Sequence, residues 1–423
     1  MKKFFLIILI LLVSAGGVYL YVQKKNGGIS NPTVQKIVDY FPFGKPSNEV
    51  NPPTDNNTSA TSTSNNSGNN QVIVSYNNNP ATLKLSLHQI SEAPAISGGA
   101  FKKTGGSFVE YIDRATGNLY EVNTDSLSRK RITNKTIVKV RDASWLTADN
   151  FIVRYAHDSG DGIDSFSARL ATAPLFATTS ENLRDFVGTF LTPNVTDISL
   201  SPKKDHIFYL VTDDTTQGFI SLPDGSKKVT LFQSPVSEWI SSWPKDDTIT
   251  LTTKGSANSA GYLFFVNTKS GVMNPILSGR AGFTTLTNPA LTKILYSEST
   301  GIGFNTNIFD VKLGIPLPAT VTTLPEKCVW SKKNTDIAYC AVPKTIPSNN
   351  YPDSWYQGIV SFNDSFYKVN VKSGTATFLI DPYEQLKSDV DGLKLFLDDN
   401  EDTLFFTNKK DSILWGLRLT SSS

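Results

Sequence analysis

One two-strand pattern recurs seven times between Gly99 and Phe406, and a chain with such a repeat has few architectures open to it. Each copy is a strand, a polar turn and a strongly apolar strand, as in Ile198–Leu210, Thr284–Tyr296 and Cys328–Cys340. The apolar strands begin at Phe108, Phe151, Ile207, Ile249, Ile294, Ile337 and Leu404, at spacings of 43, 56, 42, 45, 43 and 67 residues. Most of these match the roughly 40–45 residues of a four-stranded propeller blade, and the two long ones read as blades carrying insertions. A third strand follows each hairpin, from Asn118–Val122 to Ile413–Leu417, and turns such as Lys269-Ser270-Gly271 lead to a weaker fourth. From Thr82 onward no stretch keeps a sustained 3.6-residue apolar period, so few helices are expected there. The 25 Phe and 15 Tyr against 2 Met suit a pleated, half-buried surface. The sequence thus predicts an all-β fold, a seven-bladed β-propeller of four-stranded blades.

Three short motifs point the same way. Ser199-Leu200-Ser201-Pro202 and Trp330-Ser331-Lys332-Lys333-Asn334 occupy first-hairpin turns, and Leu119-Tyr120-Glu121-Val122-Asn123 a third strand. In these the chain resembles the TolB-type, WD40-like propeller repeat family, over about Leu83 to Leu419. The Trp-Asp dipeptide and its Gly-His partner are absent, which argues against a strict WD40 repeat. The resemblance implies the fold but no activity, since such propellers serve as scaffolds, binding partners and peptidase-associated domains.

The last blade has three strands (Leu393–Leu397, Thr403–Thr407 and Ile413–Leu419) before the sequence stops at Ser423. Thr82–Ile90 alternates apolar and polar residues and precedes the first blade. It is expected to supply the missing outer strand and so close the ring without a long open edge.

Ahead of the propeller, Phe4 to Val22 is one apolar run between Lys2-Lys3 and Lys24-Lys25. A helix needs roughly 20 apolar residues to cross a bilayer. The run reads as an uncleaved transmembrane anchor because apolarity continues past Ala15. A signal peptide cut near Val13-Ser14-Ala15 is the competing reading. Both predict export, to a single-pass membrane location in the first case and to secretion in the second. Residues 26–80 form an Asn/Ser/Thr-rich linker too polar to fold alone, with Val34–Phe43 as either a juxtamembrane amphipathic helix or ordinary linker. The division expected is thus anchor 1–25, linker 26–80 and propeller 81–423.

The net charge is +2, with no basic stripe, which argues against nucleic-acid binding. Three His and two Cys support no metal motif, and no cofactor is expected. Cys328 and Cys340 sit opposite or one step off register across one hairpin, as a disulfide or as two buried thiols. No nucleophile motif occurs, so no catalytic residue is assigned.

Loops between second and third strands share a face with the blade-to-blade crossings. That face carries Asp113-Arg114 in blade 1, His157–Asp164 in blade 2 and the Pro343–Asp364 insertion in blade 6. Tyr351, Asp353, Trp355 and Tyr356, with His157, Asp158 and Arg114, are the candidate contact residues. Either the aromatic rings form an exposed platform for a peptide or glycan, or the insertion folds back and buries Trp355. Asp158, Asp161 and Asp164 do not match the calcium-loop spacing and read as a solvated turn. The function expected is a membrane-anchored, extracytoplasmic scaffold for a protein or glycan. The alternative is a propeller enzyme acting on envelope glycans or peptides.

Overall fold

Seven four-stranded antiparallel sheets carry the chain from Ala95 to Arg418, and six of them are formed by four consecutive strands. The computed structural model describes residues 85–133, 136–157, 162–172 and 183–419. The anchor run, the linker and Asp158 lie outside the described residues. Among the described residues no helix is long and apolar enough to cross a membrane. The sheets are the blades of a seven-bladed propeller, as the hairpin repeat predicts. First strands of five of the seven neighbouring pairs of blades contact one another, which sets them around the axis.

The second strand of each blade is apolar because both of its faces are covered by neighbouring sheets. Ile207–Leu210, Ile337–Pro343 and Thr403–Asn408 are buried without a break. In four blades the third strand ends on Asn or Asp for a local reason. Asn123, Asn267, Asp310 and Asn370 each accept two backbone N–H bonds, from the residues two and three positions on, at 2.9–3.1 Å. These Asx turns start the reversal into the fourth strand. Four residues after the Asn or Asp, three blades place a left-handed glycine (Gly271, Gly314 and Gly374), while the first places Leu127 at φ 58°.

The seventh blade is completed from the other end of the domain. Leu87–Gln89 is its outer strand, pairing Leu87 with Leu417, His88 with Gly416 and Gln89 with Trp415. The strand is shorter than the alternation predicts but in the expected place. Leu87 and Ile90 are buried under it. The Gln385 side chain covers the strand's open edge, donating to the Leu87 carbonyl at 2.8 Å and accepting from the Leu87 N–H at 3.3 Å.

The insertion of blade 2 is not in its second-to-third-strand loop, His157–Asp164. The extra length of blade 2 is residues 171–185, between its third strand (Ile163–Leu170) and its fourth (Phe186–Phe190). The His157 loop is short by comparison. Connections between third and fourth strands leave and re-enter the sheet on the face of the hairpin turns, so the strand ends Leu170 and Phe186 stand on the face opposite the blade 6 insertion. The long interval in blade 6 has two sources. One is the insertion at 344–363; the other is the crossing to blade 7 at 381–391, which carries the short helix Pro382–Leu386.

Blade 1 holds an unusual charge arrangement. Glu110 and Glu121 stand directly opposite on adjacent strands, a placement that repels. The Lys103 ammonium bridges both carboxylates. Burial pushes the Glu110 carboxyl up to about 7, against the pull of Lys103.

Two outcomes are expected. A chain beginning at residue 92 lacks the outer strand with Leu87 and Ile90. It should unfold at least about 4 kcal/mol more easily than one beginning at residue 81, by urea titration, since each lost buried side chain costs about 2–5 kcal/mol. The second concerns pH. A carboxyl raised to about 7 in the fold contributes stability that is full below its ordinary value and lost as pH rises through 7. Glu110→Gln should therefore flatten the stability–pH curve between about 4.5 and 7, by at most about 3 kcal/mol. Parallel curves for the variant and the native protein would exclude this assignment.

Candidate functional site

The insertion at 344–363 folds back over the crossing face of blades 4 to 7. Its short helix, Asp353–Tyr356, follows a cis Tyr351–Pro352 bond. Asp353 Oδ2 accepts the Ala257 N–H of blade 4 at 2.6 Å, and the Asn349 N–H donates to the Ile302 carbonyl of blade 5 at 3.1 Å. Tyr356 donates its hydroxyl to Glu326 at the entry to blade 6. Both groups are raised in pKa by burial, and the Glu326 carboxylate further opposes ionisation of the phenol.

Tyr351 and Trp355 belong to the interior. They are 0% and 4% exposed and pack in one cluster with Phe304, Leu324, Val360 and Phe362. The Phe362 ring lies between them, stacked on Tyr351 at 5.8 Å and on Trp355 at 6.3 Å. The Tyr351 hydroxyl reaches the Pro347 carbonyl at 2.7 Å, and burial pushes the phenol up to about 12. The rings therefore do not form an exposed platform; of the two readings of this segment, the structure has the folded-back one. A loop that crosses several blades needs a core of its own, and these rings supply it.

The other candidates lie apart. Arg114 donates to Ser412 Oγ at 3.1 Å on the blade 1–blade 7 side, and His157 Nδ1 pairs with Asp164 Oδ2 at 2.8 Å in blade 2. The structure thus groups Tyr351, Asp353, Trp355 and Tyr356 but does not join them to Arg114 or His157. Cys328 and Cys340 are register partners with Cα atoms 4.1 Å apart, and their sulfurs are bonded.

Beneath the insertion is a charged cluster that sequence reasoning missed. Lys327, Asp364 and Asp391 have fully buried side chains. Lys327 Nζ lies 2.7 Å from Asp364 Oδ2, 2.5 Å from Asp391 Oδ1 and 2.9 Å from the Gly392 carbonyl. Asp391 Oδ2 accepts from Trp355 Nε1 at 3.0 Å, Phe362 N–H at 3.0 Å and Ser361 Oγ at 3.1 Å. Burial works to raise Asp391, but the Lys327 charge and these hydrogen bonds outweigh it and hold the carboxyl below its usual range. Burial pushes Asp364 up to about 6. No local motif marks the three, since Lys327 and Asp391 are 64 residues apart in the chain.

An open groove of about 570 Å³ lies on the opposite face, between blades 2 and 3. Asn150, Arg169, Val187, Lys204, Leu222 and Asp224 are among its lining residues. Burial lowers the Lys204 ammonium. Among the described residues no group of three or more His, Cys, Asp and Glu is arranged to hold a metal ion.

The burial makes a direct prediction. Tyr351→Ala and Trp355→Ala should each cost about 3–5 kcal/mol in urea unfolding. Arg114→Ala, at an exposed hydrogen bond, should stay within about 0.5 kcal/mol. Native stability in the two aromatic variants would mean that the rings are not core.

No protein-family model matches the chain, and no curated protein matches it. Solved structures do. An oligogalacturonate lyase from Vibrio parahaemolyticus aligns with a TM-score of 0.55 at 9% identity, over 80% of this chain and 95% of that one. The Cps50 (Swd1) β-propeller domain of Myceliophteria thermophila aligns at 0.46 with 10% identity, over 79% and 100%. TolB from Acinetobacter baumannii aligns at 0.38 with 10% identity, over 77% and 80%. At 9% identity the likeness to the lyase is one of fold, and the fold of this chain is the β-propeller.

Proposed function

We propose that this chain is a membrane-anchored, extracytoplasmic scaffold whose propeller holds a protein or glycan partner, with the contact on the hairpin-turn face. The observation that carries the binding reading is the contrast between the two faces. The insertion's aromatic rings and the charges beneath it are used up in internal contacts. The groove between blades 2 and 3 is open and has the volume of a ligand site, roughly 300–1,000 Å³. Its mixture of apolar (Val187, Leu222), cationic (Arg169, Lys204) and anionic (Asp224) groups suits a polar partner with some apolar surface. Export is supported by the Cys328–Cys340 bond, since disulfides persist in oxidising compartments, and by the apolar run Phe4–Val22. The enzyme reading needs an acid–base pair open to substrate. Glu110, Glu326 and Asp364, with carboxyls raised by burial, are instead paired inside the fold.

The test uses the full chain in its own membranes. Protease added outside intact cells should degrade the propeller, and Cys328 and Cys340 should resist alkylation until reduced. A photoreactive residue in place of Asn150 or Val187 should cross-link a partner, and one in place of the exposed Ile359 should not. A protease-protected propeller with free thiols overturns export. Cross-links from Ile359 alone move the contact to the insertion face.

A further inference from the structure

The Lys327 cluster is more than a simple ion pair, and the Lys409 ammonium, over the Trp355 ring, adds its field to Asp391. One ammonium faces two carboxylates, and all three side chains are fully buried. Asp364 Oδ1 is buried without a hydrogen-bond partner among the described residues. An unpaired charge there is costly, and the buried pair itself has lost its hydration.

The two carboxylates are not equivalent. Asp391 presents Oδ1 to the Lys327 nitrogen at 2.5 Å, while three donors hold its Oδ2: the Trp355 indole, the Phe362 amide and the Ser361 hydroxyl. Donors gathered on the far oxygen are what stabilises negative charge developing there when a nucleophile adds to the carboxyl carbon. Asp364 has no such set. Its Oδ2 accepts one amide, from Gly392 at 2.7 Å, and faces the Lys327 nitrogen at 2.7 Å. The Trp355 and Phe362 rings each stand 5.3 Å from that nitrogen and wall off the site. The cluster therefore contains an amine in reach of a carboxyl carbon, a hole for the oxyanion and a second carboxyl touching the nitrogen, all under an apolar cover.

We propose that Lys327 and Asp391 are joined by an amide bond that the folded protein forms on itself, with Asp364 as the catalytic acid–base. Asp364 takes a proton from the Lys327 ammonium, and the freed lone pair attacks Asp391 Cγ. A C–N bond forms, and the π pair of the carboxyl moves onto Oδ2, where the three donors meet it. Asp364 returns its proton to Oδ1 and then carries a second proton from nitrogen to the same oxygen. The C–Oδ1 bond breaks, Oδ1 leaves as water, and the carbonyl re-forms. Ammonium and carboxylate become amide and water, nothing is oxidised or reduced, and Asp364 ends as it began. Burial favours this course twice, because it holds Asp364 ready to carry a proton near neutral pH and because the product has no charge to solvate. The bond would tie the entry of blade 6 covalently to the entry of blade 7.

The test is mass spectrometry of the full chain, reduced, alkylated, denatured and digested. A branched peptide holding Lys327 and Asp391, lighter by one water than its two arms, is the expected result. Trypsin should fail to cut after Lys327. Asp364→Asn should give the two arms as separate peptides, and Asp391→Asn, able to expel ammonia instead of water, should give the same branched product as the native chain. The native chain alone decides the matter, whatever the variants do to folding. Separate, full-mass peptides from folded native protein overturn the proposal. So does a loss of water within an unbranched peptide, as a succinimide at Asp391-Gly392 would give, and so does a branch at Asp364.

Discussion

A propeller blade has two faces to cover, and the ring covers both with its own neighbours. That constraint explains why second strands are buried on both sides without a break, as in Ile337–Pro343 and Thr403–Asn408. Buried clusters join residues of adjacent blades, such as Tyr339 and Phe366 with Leu404 and Phe406. Charge inside this stack is tolerated only where a partner reaches it, as Lys103 reaches Glu110 and Glu121.

The insertion in blade 6 obeys the same rule on a smaller scale. It leaves the sheet, crosses the face over several blades, and so must bring a core with it. Tyr351, Trp355 and Phe362 are that core, and Asp391 fastens it by accepting the Trp355 indole and the Phe362 amide together. An open groove among the described residues is elsewhere, between blades 2 and 3.

The blades were legible because their signal is periodic and local: a hairpin followed by a third strand, every 42 to 45 residues in most copies. The closing strand was legible because Leu87 alternates with polar neighbours and blade 7 is one strand short. The insertions were harder. The interval from Phe151 to Ile207 fixes how much chain is extra but not between which strands, and 171–185 has no strand pattern of its own to decide it. An aromatic residue in a long loop serves a core and a contact surface equally well, so Tyr351 and Trp355 could not be assigned from composition. Lys327, Asp364 and Asp391 were invisible, since each looks alone like a solvated loop residue and only the crossings between blades bring them together.

Ring closure has a consequence in time. Synthesis delivers Leu87–Gln89 before any blade exists and its partner Leu414–Arg418 after all the others. Each of the first six blades can pair its strands as soon as its own residues are made, with contacts between close neighbours in the chain. The seventh must wait for the two most distant segments of the domain to meet, the slowest class of contact for a chain to find. Until they do, the strand Leu414–Arg418 has a bare edge and Leu87 has no cover. The nascent domain is thus most exposed to mispairing at the moment when it is nearly complete.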